Sequence, residues 1–448
     1  MALGEIIMMR VGGQFRDNSI RRRVDTGLRL SHDIGMDQSL NYAAVIKAAG
    51  IPDQGAIWAD AWPDSQASFH LNDLYFFQPH WMEEALAKLN MPETIKKAFR
   101  KTRPFFAQHP ALQRLAWHCC HLLYQTRFDP AVLQAWPPLP AALGPETAMF
   151  YAFVCLAGLP HLECLHRQRG IDPAITYDTL ADFALWMEHY HQQHGVWGLS
   201  NTILSWVYGY LADKLIKLGR LQYSQPRELT YDFHVYRQRY NRRVFILAGD
   251  GMQFRPDGQF EGANKITAGA HGWTSRWVAT STEIRGHPIT PIGAAQRETV
   301  VLSASEWEEV LNRKSRVRAM HIPATGPLTH EACENSLQQA QAFFPIHYPE
   351  VTFCAFTCVS WLMDNQFDRY LPETSNILQF QREFHLYPVP GASDEQIYER
   401  VFGRSYANID EAPQTTFLQR TLVAHVQAGE RWHHGGGFIL RDSNGIHH

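Results

Sequence analysis

Two stretches decide the fold: residues 316–331, RVRAMHIPATGPLTHE, and residues 353–364, FCAFTCVSWLMD. The first begins as a strand over 316–322. Pro323 and Gly326 break it, and the chain restarts at Thr329, a good helix cap. A helix is expected over 329–344, and an apolar strand over 351–361. Strand, helix and strand in that order imply a crossover that leaves the two strands parallel neighbours. Along the second strand, Cys354, Phe356, Cys358 and Ser360 share one face. Phe353, Ala355, Thr357, Val359 and Trp361 share the other.

The pattern on either side is mixed. Runs 229–237, 243–248 and 277–285 read as strands, with Asp250-Gly251 as a turn and 305–311 as a short helix. Downstream come a short helix (365–371), a strand (377–387) and helices over 393–402 and 417–427. Gly435-Gly436-Gly437 leads into a last strand, Phe438-Ile439-Leu440. Residues 39–223 read as helical throughout. The run 78–100 is broken at Pro92, and helices follow over 112–124 and 147–159. Asp178 caps a helix that Gly195 stops, and a helix over 200–218 closes at Gly219. The polar residues 1–38 read as an N-terminal extension. The expectation is an α+β chain: extension 1–38, an all-α domain 39–225 and a mixed α/β domain 226–448.

Composition narrows the function. With 448 residues, 45% of them hydrophobic, the chain is long enough for two cores. Lys and Arg total 41 against 44 Asp and Glu, so no basic face for nucleic acid is implied. The longest apolar run, 148–159, falls short of the roughly 20 residues of a membrane span. No basic region precedes the apolar start, so a secretory signal is not expected. Seven cysteines, two of them adjacent, fit a reducing cytosol better than a disulfide framework.

Each candidate site has a plainer reading beside it. The loop from Pro323 to Thr329 could hold a phosphate on backbone N–H groups at a helix start, with Gly326 allowing close approach; by its residues alone it is more often an ordinary capped loop. Cys358 and Ser360 could line a cleft, and a His321–Cys358 pair would make a nucleophile, although a strand cysteine is more often packed as a small hydrophobe. Glu283 and His287 flank a Pro-rich loop and are acid–base candidates, or parts of a rigid turn. The His and Cys spacings over 118–121, 161–166 and 189–194 suit no metal, and His433-His434 read as loop. The aromatic group Trp186, Tyr190, Trp197, Trp206, Tyr208 and Tyr210 is core or the wall of an apolar pocket. The run 96–103, KKAFRKTR, is a solvated helix face.

Several motifs in order carry a resemblance: YDTLADF (177–183), GVWG (195–198), KLGRLQY (217–223), GHPI (286–289), His321-Ile322-Pro323, GPLT (326–329), FTCVSWL (356–362) and LPETSN (371–376). Over roughly residues 40–440 the chain resembles bacterial two-domain acyltransferases, which join a helical N-acyltransferase N-terminal domain to a GNAT-like C-terminal domain. The resemblance implies an acyl-CoA or acyl-carrier-protein thioester as donor, an amine acceptor and direct transfer without a metal. It implies that the loop residues Ala324, Thr325, Gly326, Leu328 and Thr329 bind the pyrophosphate, and that the strands on either side part to admit the pantetheine arm. His321, His287 and Glu283 are the candidate bases, and Cys358 or Ser360 the candidate donor to the leaving thiolate. The Gln/Arg-x-x-Gly-x-Gly/Ala loop usual in that superfamily is absent, with only Gly326 in its place. The rival reading is a non-catalytic protein that keeps the acyltransferase fold for binding.

Overall fold

The computed structural model describes residues 40–442, apart from His70, Arg127 and Phe128, and the short strand Gly445–His447. The expected extension over 1–38 lies outside the described residues. The chain divides into two compact units, Met1–Ile216 and Lys217–His448.

The described part of the first unit is helical. Its segments bury one stripe each, as Glu93–Ala107 illustrates: Ile95, Ala98, Phe99, Thr102 and Phe106 face inward at helical spacing. The opposite face carries the basic run, and Arg100 there pairs with Glu83 at 2.7 Å and Glu93 at 2.6 Å. The expected solvated face is therefore what forms. The segment Pro145–Gln168 is long and apolar enough to cross a membrane, but 67% of its apolar window is buried inside the unit. Of the aromatic group, Tyr208 and Tyr210 are buried, and Tyr210 donates to Asp182 at 2.6 Å. Gly195 ends the helix Asp182–His194 in the left-handed region, as expected. Asp178 is not a cap. It lies inside Pro173–Leu180, whose cap is Asp172.

The expected helix over 200–218 is not one element. The helix ends at Leu211, and Leu215–Leu218 is a strand, β1, paired with β2, Leu221–Ser224, across a turn at Gly219. Apolar residues at 215, 216 and 218 fit a strand as well as a helix, and only the sheet beside them decides.

β1 and β2 open the main eight-stranded sheet. Its other strands are β3 (Arg316–His321), β4 (Ala355–Ser360), β5 (His385–Tyr387), β6 (Gly435–Asp442) and β7 (Gly445–His447). The path is β1-β2-β3-β4-β6-β5; β7 pairs with β6, and Arg227–Glu228 pairs with β3. β3 and β4 are parallel, joined by the crossover helix His330–His347, as the element order requires. Smaller antiparallel sheets hold Phe233–Gln238, Val244–Ala248, Pro288–Ile289 and Trp307–Leu311, and separately Trp277–Ala279, Glu283–Gly286 and Val300–Ser303. The run expected as a helix over 305–311 is thus a strand, and the one expected as a strand over 277–285 is a hairpin. The run 377–387 is a helix, Asn376–Arg382, followed by β5.

Candidate functional site

β3 and β4 share a ladder that ends at Met320↔Cys358. Past that point His321 pairs away from β4, with Gln222 on β2. Val359 and Ser360 pair the other way, with Gly436 and Gly435 on β6. The two parallel strands therefore part at their C-terminal ends, where ligands collect in open α/β sheets.

The loop after β3 lies at this parting. The Arg220 guanidinium, in the β1–β2 turn, donates to the carbonyls of Pro323 (3.0 Å), Gly326 (3.3 Å) and Pro327 (3.1 Å). Gly326 has φ +66°, and the space where a Cβ would sit is open. Among the described residues, no acceptor takes the backbone N–H groups of Ala324, Thr325, Gly326, Leu328 or Thr329. Thr329 caps the crossover helix by accepting from the Ala332 N–H at 3.3 Å. The result is a loop with three of its carbonyls engaged and its donors open, the polarity that suits an anion.

Ser336 of the crossover helix fixes that helix on the hairpin. Its Oγ donates to the Leu218 carbonyl and accepts from the Leu221 N–H at 3.1 Å, and it bonds the Tyr223 hydroxyl at 3.0 Å. Arg318, buried in β3, lays its guanidinium 3.4 Å from the Phe344 ring centroid and donates to the Ser224 carbonyl at 2.6 Å.

The expected site residues fall into two groups. His321, Cys358 and Ser360 stand where β3 and β4 separate. His321 is half-buried, and burial, then the charge of Arg227, pushes its pKa down to about 4. Its imidazole is neutral at ordinary pH. Cys358 is 1% exposed, and burial, then Cys333 on the crossover helix, pushes its thiol up to about 12. That is the environment of a packed thiol, the plainer of the two sequence readings, and it weighs against a role as nucleophile. The Ser360 Oγ accepts from the Leu362 N–H at 3.2 Å, which leaves its own proton available. Glu283 and His287 belong elsewhere. Glu283 lies in the three-stranded sheet, half-buried and 3.4 Å from Arg285. His287 is buried against Trp273, with Nδ1 3.2 Å from the Gln296 carbonyl.

Three features were not read from sequence: Arg220, Ser336 and the anchor of β6. Asp364 is fully buried and accepts from the N–H groups of Gln366 (2.9 Å) and His433 (2.8 Å), with His433 Nε2 3.4 Å away. His433 and His434 lie in loop, as expected, and both are buried. An Asp two residues before Gln366 is a turn signal, but nothing local ties it to residue 433. Among the described residues no group of three or more His, Cys, Asp or Glu is placed to hold a metal ion.

Comparison with known proteins agrees with this architecture. Residues 81–212 match the N-acyltransferase N-terminal domain, and residues 215–439, half of the chain, match the GNAT-like C-terminal domain. No curated protein matches the chain. Among solved structures, it is similar to an acyltransferase in complex with CoA and 10C-teicoplanin, at 23% identity and TM-score 0.59, covering 90% of this chain and 99% of that one. It is also similar to an acyltransferase in complex with decanoyl-CoA, at 22% identity and TM-score 0.57, over 89% of this chain and 98% of that one. These likenesses speak to fold. With the C-terminal match spanning half the sequence and the N-terminal match directly before it, the chain belongs to the family that joins an N-acyltransferase N-terminal domain to a GNAT-like C-terminal domain.

Proposed function

We propose that this chain is an N-acyltransferase that moves an acyl group from an acyl-CoA thioester to an amine by direct transfer. The observation that carries the reading is the 323–329 loop, with its carbonyls held by Arg220 and its N–H groups open beside two parting parallel strands. Ala324, Thr325, Gly326, Leu328 and Thr329 take the pyrophosphate, and the gap beyond Met320 and Cys358 takes the pantetheine arm. The similar acyltransferases with CoA and decanoyl-CoA support a donor of this class with a medium acyl chain.

In the reaction a neutral amine attacks the thioester carbonyl. The C–N bond forms, the C–S bond breaks, and CoA leaves as a thiolate. His321 is neutral and receives the amine proton, directly or through water; the departing thiolate accepts a hydrogen bond from the Ser360 hydroxyl, which keeps its proton, and is protonated from solvent. His287 and Glu283 would act only from outside the β3–β4 parting, so His321 is the preferred base. The reaction runs in the reducing cytosol, a reading supported by seven cysteines with no disulfide.

The test is thiol release on mixing the protein with CoA thioesters of increasing chain length and a panel of amines, with the acylated amine identified by mass. Amide formation that depends on chain length supports the reading. A thermal shift with acyl-CoA but no amide under any condition would favour the rival reading, a binding protein, to which the missing glycine-rich pattern points. No shift and no amide with CoA thioesters, but amide with a carrier-protein thioester, would move the donor.

A further inference from the structure

We propose that Arg114, with Trp58, Trp62, Ser65 and His118, forms an internal site in the helical unit for a small monovalent anion of the halide or carboxylate class. Arg114 and His118 stand one turn apart on Pro110–Gln125, so they share a face. Trp62 and Ser65 share a face of Trp62–Ala67. The His118 ring centroid is 4.8 Å from that of Trp62 and 5.8 Å from that of Trp58. The Arg114 guanidinium carbon is 5.1 Å from the Trp62 centroid and 4.2 Å from that of Phe69.

All five residues are buried, Arg114 to 3% exposure and His118 to 0%. Both terminal nitrogens of Arg114, the Ser65 hydroxyl and the two indole nitrogens have no hydrogen-bond partner. Burial, the one influence on Arg114, lowers its pKa only to about 10, so the guanidinium stays charged, and no described carboxylate compensates it. Asp64, next to Ser65 in the chain, is exposed.

A buried charge without a counterion is strongly unfavourable. The aromatic faces of Phe69 and Trp62 offset part of that, but they leave the guanidinium N–H groups in the ring plane unanswered. Guanidinium and indole only donate. The set therefore rejects cations and calls for an acceptor. Burial, then the charges of His121 and Arg114, drives the His118 pKa to about 3 against a smaller pull from the Trp58 carbonyl, so His118 is neutral. One net positive charge asks for one negative charge.

The test uses the full chain at constant ionic strength, with chloride or formate replacing a bulky sulfonate. The melting temperature should rise saturably, by about 5 °C near saturation, and the arm that responds names the halide or the carboxylate. Arg114→Met should remove the response. Trp62→Phe keeps an aromatic ring but deletes one donor, and should weaken the apparent affinity about tenfold even if the Arg114 variant does not fold. Bromide should give an anomalous peak at Arg114 in crystals. No response to either anion, an equal response in the Trp62 variant, or, where chloride is the arm that responds, only water beside Arg114 in bromide-grown crystals would overturn the site.

Discussion

Arg220 shows how much one side chain can set. Three carbonyls of the 323–329 loop depend on it, and no other described side chain bonds them. Arg220→Ala should free those carbonyls to turn and blur the open N–H array. The expected result is a rise of roughly tenfold or more in KM for acyl-CoA, with kcat less affected. Steady-state kinetics across acyl-CoA concentration checks this, and an unchanged KM would refute the role given to the loop. Cys358 makes the opposite case. Its thiol is buried beside Cys333 and raised to about 12, so Cys358→Ala should keep activity within about twofold while lowering stability by about 1 kcal/mol. Native labelling should leave this thiol untouched at pH 8, and a fast-labelling Cys358 would reopen nucleophilic catalysis. His321, Ser360 and Cys358 were legible as candidates because strand alternation places them. Burial chose among them, and it is set by the crossover helix lying over one face of β4.

At the scale of the element, β6 is tightly constrained at its start. Its glycines are required by what lies against them. A Cβ on Gly436 would come 2.2 Å from Cε2 of the buried Tyr387, and one on Gly435 would come 2.3 Å from the Met363 carbonyl oxygen. Gly436→Ala should cost more than about 2 kcal/mol, read as a lower urea midpoint, and a midpoint unchanged from wild type would contradict this packing. The crossover helix was legible in full outline, since Thr329 caps it and Pro323 and Gly326 clear the chain before it. The strand Trp307–Leu311 was not. WEEVL fits either period over five residues, and pairing with Phe233–Gln238 makes it a strand. Likewise, 377–387 held a helix and a strand whose boundary, near Glu383, carries no glycine or proline to mark it.

At the scale of the whole molecule, buried and half-buried histidines link stability to acidity. His321 has its pKa pushed to about 4, and burial also lowers those of His161 and His434. In the unfolded chain these groups take up protons below about pH 6.5, while the folded forms resist. Stability is therefore full above that pH and falls as pH drops toward 4, by up to about 1.4 kcal/mol per pH unit for each such group. Urea midpoints at pH 7, 6 and 5 check the direction, and a flat profile over that range would refute it. By itself the sequence determined the helical-then-mixed order, the parallel crossover and the candidate loop. Periodicity, caps and breakers are local signals carried by neighbouring residues. Tertiary structure alone decided that the chain turns to strand at Leu215, that Arg220 holds the loop, that Asp364 anchors His433, and that Arg114 lies buried with no counter-charge among the described residues. Each of these depends on groups far apart in the chain meeting at low exposure, and no run of neighbouring residues encodes such a meeting.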